Sequence, residues 1–140
     1  MPKRPARRAT ADPSTRLCPC GSTEPYGGCC GRLHRRETTA ATAEQLMRSR
    51  FSAFSVGDAD YLSRTWHSTT RPARLTLDPR QHWTRLDVLG AEQGGLFDTT
   101  GTVEFRAHYR ESGQTNTVYE RSRFVREDGQ WVYLDADESH

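Results

Sequence analysis

The chain has 140 residues with a formal net charge of +2 at pH 7, and 34% of its residues are hydrophobic. This length predicts one ordinary domain with a small appendage, and the near balance of charge favours no class of charged partner. No run of about 18 apolar residues occurs, and no apolar segment follows the basic N-terminus, so the sequence predicts neither a membrane span nor a secretory signal. We therefore expect a reducing, cytoplasmic location.

Residues 1–16 are predicted to form a disordered basic tail. Apart from its prolines, it has no apolar residue larger than Ala between Pro2 and Arg16, so it cannot bury enough surface to offset the entropy of ordering. The alternative is an arm that binds nucleic acid through phosphate contacts. The basic residues on which that alternative depends are Lys3, Arg4, Arg7, Arg8 and Arg16.

All four cysteines fall within one short segment, at Cys18, Cys20, Cys29 and Cys30. The adjacent pair is too close for a relaxed disulfide, whereas four converging thiolates suit a tetrahedral zinc ion. Disulfides between the two pairs, free thiols and another soft metal remain as alternatives. His34 is a possible substitute ligand, although four cysteines already complete the shell. We call residues 17–36 the knuckle and predict structural Zn²⁺ there.

Two helices are predicted after the knuckle. Thr42 and Gln45 have the spacing of a capping box, Gly57 ends the first helix, and Asp58 caps the second. Ser52 lies off the apolar stripe of the first helix. The stripe recurs at helical spacing and predicts a buried face: Ala43, Leu46, Met47, Phe51 and Phe54.

The hydrophobic period changes to two from residue 83 onward. Asp128-Gly129 is the clearest hairpin signal between the strands, and a further short strand is predicted at 75–77. Two helices followed by an antiparallel meander predict an α+β fold, with helices covering one sheet face, in a domain spanning 41–136. The four predicted strands are 83–92, 102–110, 115–126 and 131–135.

The third predicted strand places polar residues among core residues. Glu120 and Ser122 share a face with Val118 and Phe124. One interpretation is a polar-lined cavity under a curved sheet, since a buried carboxylate needs a partner. The other is an exposed face with cross-strand pairs of arginine and glutamate.

The composite resembles a known family. The cysteine spacing, together with Gly21, Ser22, Tyr26 and Gly31, resembles the SEC-C motif, named from the zinc-binding C-terminal tail of the SecA translocase. The remainder is similar to the YchJ family of bacterial proteins in segments 44–51, 58–62, 65–67, 120–124 and 129–131. The resemblance implies zinc on the four cysteines and a nuclear transport factor 2-like domain, in which a curved sheet forms a cone with an interior pocket. It brings no established activity with it.

Two classes of function follow from the resemblance. The first, which we favour, is a non-enzymatic module whose knuckle docks onto a macromolecular partner and whose cone takes a small ligand. In SecA the similar motif binds a partner, so a protein is favoured over nucleic acid.

The second class is an acid–base enzyme of the isomerase, dehydratase or hydrolase kind. Its candidate catalytic residues are His67, Glu120 and Ser122, with Tyr61 and Trp66 as walls of the pocket. A histidine paired with a carboxylate can exchange a proton near neutral pH. The plainer alternatives are a surface histidine bonded to the backbone and a salt bridge from the glutamate to a neighbouring arginine.

Overall fold

The structure is a computed structural model that describes residues 13–137. Within this range, short 3₁₀ turns at Pro13–Thr15 and Tyr26–Gly28 frame the cysteine segment. None of the helices in the described range is long and apolar enough to cross a membrane. The elements are α1 (Cys30–His34), α2 (Ala43–Val56), α3 (Ala59–Arg64), β1 (His82–Gln93), β2 (Thr100–Glu111), β3 (Gln114–Glu127) and β4 (Gln130–Ala136).

The predicted tail lies outside the described residues as far as residue 12, and its last residues pack on the knuckle. The backbone N–H of Tyr26 donates to the carbonyl of Arg16 over 2.7 Å. A Cβ added to Gly27 would lie 2.6 Å from the Cβ of Ser14, so this glycine allows the close contact. Residues 13–16 therefore continue the knuckle.

Both predicted helix starts are confirmed. Thr42 accepts a hydrogen bond from the N–H of Gln45 at the start of α2, and the carboxylate of Asp58 accepts one from Tyr61 at the start of α3. The side chain of Gln45 turns back to the N–H of Ala41, one residue before the expected partner. Gly57 ends α2 with a φ of 83°, a conformation that favours glycine.

The four strands form one antiparallel sheet in the order β1-β2-β3-β4, which confirms the predicted meander and the α+β class. The pairing register shifts at Thr84 and Leu89 in β1 and at Leu134 in β4. Such bulges add bend and twist to a strand, and they help the sheet to curve around α2.

The core lies between the concave face of the sheet and helices α2 and α3. The alternation predicted for β2 is confirmed, because Val103, Phe105 and Ala107 are all buried. The short strand predicted at 75–77 is wrong. This segment is irregular in the structure, and Leu75 and Leu77 pack against the core without strand pairing.

Candidate functional site

Two local structures bring the cysteines together. Cys18 and Cys20 lie on a loop closed by a 2.8 Å hydrogen bond from the N–H of Cys18 to the carbonyl of Glu24. Cys29 and Cys30 stand at the start of α1, after the turn that contains Tyr26. The two cysteine pairs, about ten positions apart in the sequence, therefore form one small cluster.

The four thiols could hold one metal ion. Their sulfur atoms all lie within 4.8 Å of one another, and none of the four cysteines forms a disulfide. The Sγ atoms of Cys20 and Cys29 are 3.7 Å apart, close to the ~3.8 Å separation of two sulfurs that bind zinc tetrahedrally through bonds of about 2.3 Å. Hydrogen bonds from the thiols of Cys20 and Cys30 lower the pKa of Cys18, and the same bonds raise the pKa values of Cys20 and Cys30. Soft sulfur donors at these separations fit a four-coordinate metal.

His34 has other partners than a metal. Its Nε2 donates to the carbonyl of Ser49 over 2.9 Å, so its Nδ1 accepts from the hydroxyl of Tyr26. Burial lowers the pKa of the imidazole, which keeps it neutral in this role. His34 therefore connects the knuckle to α2.

Further hydrogen bonds join the knuckle to α2 and α3. The hydroxyl of Ser52 lies 3.4 Å from the Sγ of Cys18, and Arg48 donates to the carbonyl of Cys20 over 2.8 Å. Arg64 donates to the two carbonyls that end α1, over 3.1 and 3.0 Å. Ser52, which the helical stripe placed outside the core, is fully buried because the knuckle covers that side of α2.

A second candidate site is a cavity of about 250 Å³ between α2 and the concave face of the sheet. Most of its wall is aromatic or aliphatic, including Phe51, Phe54, Trp83 and Phe105. Val118, which is 38% exposed, lies where the lining reaches solvent. The polar side chains on its wall are Arg50, Trp66, Glu120, Ser122 and Tyr133.

Arg50 is the most buried charge of the cavity, at 4% exposed. Its Nη1 donates to the carbonyl of Leu62 and to the hydroxyl of Thr65, both over 2.8 Å. The guanidinium carbon lies 5.1 Å from the ring centre of Trp66 and 4.9 Å from that of Tyr133. Burial lowers the pKa of Arg50 to about 10, which leaves it charged at neutral pH.

The segment after α3 positions the ring of Trp66. Residues on either side of it bond to β4, because Tyr133 donates to the carbonyl of Thr65 over 2.8 Å and accepts from the N–H of His67 over 2.7 Å. The rings of Trp66 and Tyr133 meet edge to face, with centres 5.2 Å apart. The indole N–H of Trp66 is buried and has no hydrogen-bond partner among residues 13–137.

The face of β3 that carries Glu120 and Ser122 lines the cavity, whereas arginine–carboxylate pairs lie on the opposite face. On the cavity face, an oxygen of Glu120 accepts hydrogen bonds from Ser122 over 2.6 Å and from Tyr133 over 3.2 Å. On the opposite face, Arg121 pairs with Glu92 of β1 and Arg123 pairs with Asp135 of β4. Glu120 therefore lies with the buried hydroxyls and is not the partner of either neighbouring arginine.

The structure places two of the predicted pocket residues away from the cavity wall. Tyr61 is buried under the knuckle, where its hydroxyl bonds to Ser49 and its ring lies 4.5 Å from that of His34. His67 faces the surface, bonded through Nδ1 to Thr69 over 2.7 Å. The expected pair of His67 and Glu120 is thus not brought together, because the bonds to β4 turn the residue after Trp66 outward.

Sequence reasoning missed Arg50. It follows Leu46 by four residues and Met47 by three, so it stands on the predicted apolar stripe of α2. A charged residue at a buried helical position was the available signal. The helical spacing was enough to predict that Arg50 is buried. Its aromatic neighbours in the cavity, Trp66 and Tyr133, lie far from it along the chain.

Comparisons with known proteins match this architecture. The family described as "YchJ, middle NTF2-like domain" matches residues 42–136. A UPF0225 protein of Streptomyces coelicolor is 57% identical over 120 residues, covering 86% of this chain and 94% of the relative. A UPF0225 protein of Deinococcus radiodurans is 46% identical over 127 residues, covering 90% and 92%.

Two solved structures share the fold. The solution structure of a SEC-C motif containing protein from Rhodopseudomonas palustris has a TM-score of 0.76 at 33% identity, covering 89% of this chain and 100% of that one. The crystal structure of a SEC-C motif containing protein from Psychrobacter arcticus has a TM-score of 0.73 at 25% identity, covering 91% and 86%. With its cysteine cluster on a four-stranded nuclear transport factor 2-like domain, this chain belongs to the YchJ-type, UPF0225 family.

Proposed function

We propose that this protein is a small-molecule-binding module, with a knuckle stabilised by structural Zn²⁺. The observation that carries the proposal is the cavity of about 250 Å³, whose apolar wall surrounds a buried arginine and a glutamate. Binding sites for small molecules are typically concave and mostly apolar, with a few polar groups that orient the ligand. Catalysis is less well supported, since His67 lies away from Glu120 and no histidine lines the cavity in residues 13–137.

The proposed metal is structural. Four sulfur ligands complete a tetrahedral shell, which leaves no position for water or substrate. Purified, reduced protein should contain one zinc ion per chain by elemental analysis, and replacing the buried Cys20 with Ser should abolish that content. Ser22→Ala, within the same loop, is the matched control and should retain the metal. A reduced protein that folds without metal would contradict the proposal.

Benzene is a suitable first probe for the cavity, because an apolar cavity of about 150 Å³ is large enough to hold it. We expect saturable shifts of the indole N–H resonances of Trp66 and Trp83, which line the cavity, and no shift of Trp131, which does not. Ala107 is buried on the cavity wall, so Ala107→Leu should fill the space and block binding.

The control for that substitution is Ala91→Leu, at an exposed position of β1. It should bind benzene as the unmodified protein does. Equal shifts in the two variants, or no shift in the unmodified protein, would refute ligand binding in the cavity.

A protein partner for the knuckle is a second candidate function. It is favoured by Leu17, a large apolar side chain that is 69% exposed next to Cys18. If the knuckle docks through this residue, Leu17→Ser should remove a partner that the unmodified protein captures from its own cell extract. Leu96→Ser, at a similarly exposed leucine on the β1–β2 loop, should retain the same partner. Identical capture by both variants would rule out docking through Leu17.

A further inference from the structure

The cavity contains one cation and one carboxylate that do not touch. Arg50 and Glu120 both line it, yet they form no ion pair within 4.0 Å. Glu120 accepts hydrogen bonds from Ser122 and Tyr133. Arg50 is buried and Glu120 is half-buried, and neither has an oppositely charged partner among the described residues of the cavity. The space between these two groups can therefore receive the polar atoms of another molecule.

The two charged groups also have unused hydrogen-bonding capacity. Arg50 makes both of its hydrogen bonds through Nη1, so Nε and Nη2 donate to no atom of residues 13–137. Glu120 accepts both of its hydrogen bonds on Oε2, so Oε1 accepts none within the described chain. Trp66 contributes a third unpartnered group, its indole N–H. Donors on α2 and on the segment after α3 thus share the cavity with an acceptor on β3.

The net charge of the cavity wall narrows the class of ligand. Arg50 and Glu120 sum to zero, so an anion would gain one partner and meet repulsion from the other, and a cation would do the reverse. An uncharged group with an acceptor next to a donor can satisfy both. A carboxamide or a lactam has this arrangement, with a carbonyl oxygen and an N–H in one plane.

The apolar wall and the volume fix the rest of the molecule. The rings of Phe54, Trp83 and Phe105 provide flat apolar surfaces for an aromatic or similarly planar body. If about 150 Å³ accommodates the six carbons of benzene, then 250 Å³ accommodates about ten non-hydrogen atoms. A single ring that carries an amide group has this size.

We propose that the cavity binds an uncharged planar molecule of about ten non-hydrogen atoms, whose amide or lactam carbonyl accepts from Arg50 and whose N–H donates to Glu120. The inference rests on the proposed function of the cavity as a ligand site. It adds the chemical class of the ligand.

Three probes of the same shape test the proposal: benzamide is neutral, benzoate is an anion and benzamidine is a cation. Titrations of the full chain are followed through the indole N–H resonances of Trp66 and Trp83, with Trp131 as the internal reference. Benzamide should bind about tenfold more tightly than either charged probe, because each charged probe leaves one charged group of the pair without a partner.

Glu120→Gln should change which probe binds most tightly, because it removes a negative charge from the cavity wall without changing the shape of the cavity. The glutamine oxygen can still accept from Ser122 and Tyr133, while the wall gains a net positive charge. Benzoate should therefore bind more tightly than benzamide to this variant. Glu104→Gln is the control, because Glu104 lies on the other face of the sheet with Tyr119 and is not part of the cavity wall. It should keep the order of the unmodified protein.

The outcomes separate the two proposals. If benzene binds but benzoate binds as tightly as benzamide, or if Glu120→Gln leaves the order unchanged, the ligand class is wrong although the cavity is a binding site. If neither benzene nor any of the three probes binds, the cavity is not a ligand site and both proposals fall.

Discussion

Arg64 tests whether the knuckle and the domain unfold as one unit. It lies on α3, yet its Nη2 donates to the carbonyls of Leu33 and His34 at the end of α1. Its guanidinium carbon also lies 4.8 Å from the ring centre of Tyr61. Arg64→Met removes the hydrogen bonds and retains much of the side-chain packing. The substitution touches neither a cysteine nor the cavity wall.

The size of the effect follows from the two hydrogen bonds. A hydrogen bond that involves a charged group contributes about 1.5–3 kcal/mol. The side chain of Arg64 is 22% exposed, so the lower end of that range applies and the pair contributes about 3 kcal/mol. A protein of this kind has a total stability of about 5–15 kcal/mol. The loss should therefore be a substantial fraction of the free energy of unfolding.

Urea unfolding, monitored by both tryptophan fluorescence and circular dichroism, measures this loss. With a denaturant slope of about 1–3 kcal/mol per molar, the midpoint should fall by about 1–3 M in both signals. Asp60→Asn is the control, because it removes the exposed ion pairs of Asp60 with Arg64 and Arg36 and leaves the hydrogen bonds of Arg64 to the end of α1 in place. If Arg64→Met costs no more than Asp60→Asn, the knuckle is not stabilising the domain through this residue.

Two further predictions concern the sheet. A Cβ on Gly101 would lie 2.5 Å from the Cα of Gly94, so Gly101→Ala should destabilise the fold by about 1–3 kcal/mol in the same urea assay. Gly90 has open space around it, so Gly90→Ala is the control and should leave the stability unchanged. Equal effects of the two substitutions would contradict the close approach of Gly101 to Gly94. The hydrogen bond from Arg123 lowers the pKa of Asp135. The ionised carboxylate of Asp135 therefore stabilises the fold fully above the ordinary aspartate pKa of about 4. This stabilisation is lost as the pH falls through the lowered pKa of the folded protein. The melting temperature of Asp135→Asn should therefore lie below that of the unmodified protein at pH 7 and approach it below about pH 4. A difference that stays constant down to pH 3 would refute this assignment.

Local patterns were sufficient to predict much of the fold. The caps at Thr42 and Asp58 and the left-handed end at Gly57 depend only on residues within one helical turn, so a short stretch of sequence is enough to predict them. The four strands follow from period-two alternation, and their sequential pairing follows from short turns such as Asp128-Gly129. The clustering of the cysteines was readable for the same reason, because a short loop and one helix start join them.

The cavity depends on contacts that no local pattern contains. Arg50 meets Tyr133 across more than eighty positions, and it does so only because the segment around Trp66 bonds to β4. The same bonds turn His67 away, which a reading of the helix alone does not show. Tyr61 was expected on the pocket wall as an aromatic of α3. The knuckle covers that side of the helix, and the ring of Tyr61 packs against His34. Ser52 is buried for the same reason, since its cover comes from a segment that precedes α2 in the chain.

The bulges of β1 have a consequence for how the protein behaves at high concentration. β1 is an outer strand of the sheet, with β2 as its single neighbour in the sheet order, and a free edge of regular backbone invites pairing with another chain. Register shifts at Thr84 and Leu89 interrupt the regular spacing of backbone donors and acceptors along β1. A strand from a second molecule cannot extend along such an edge without losing hydrogen bonds. The irregularities that curve the sheet around its cavity thus also oppose edge-to-edge aggregation.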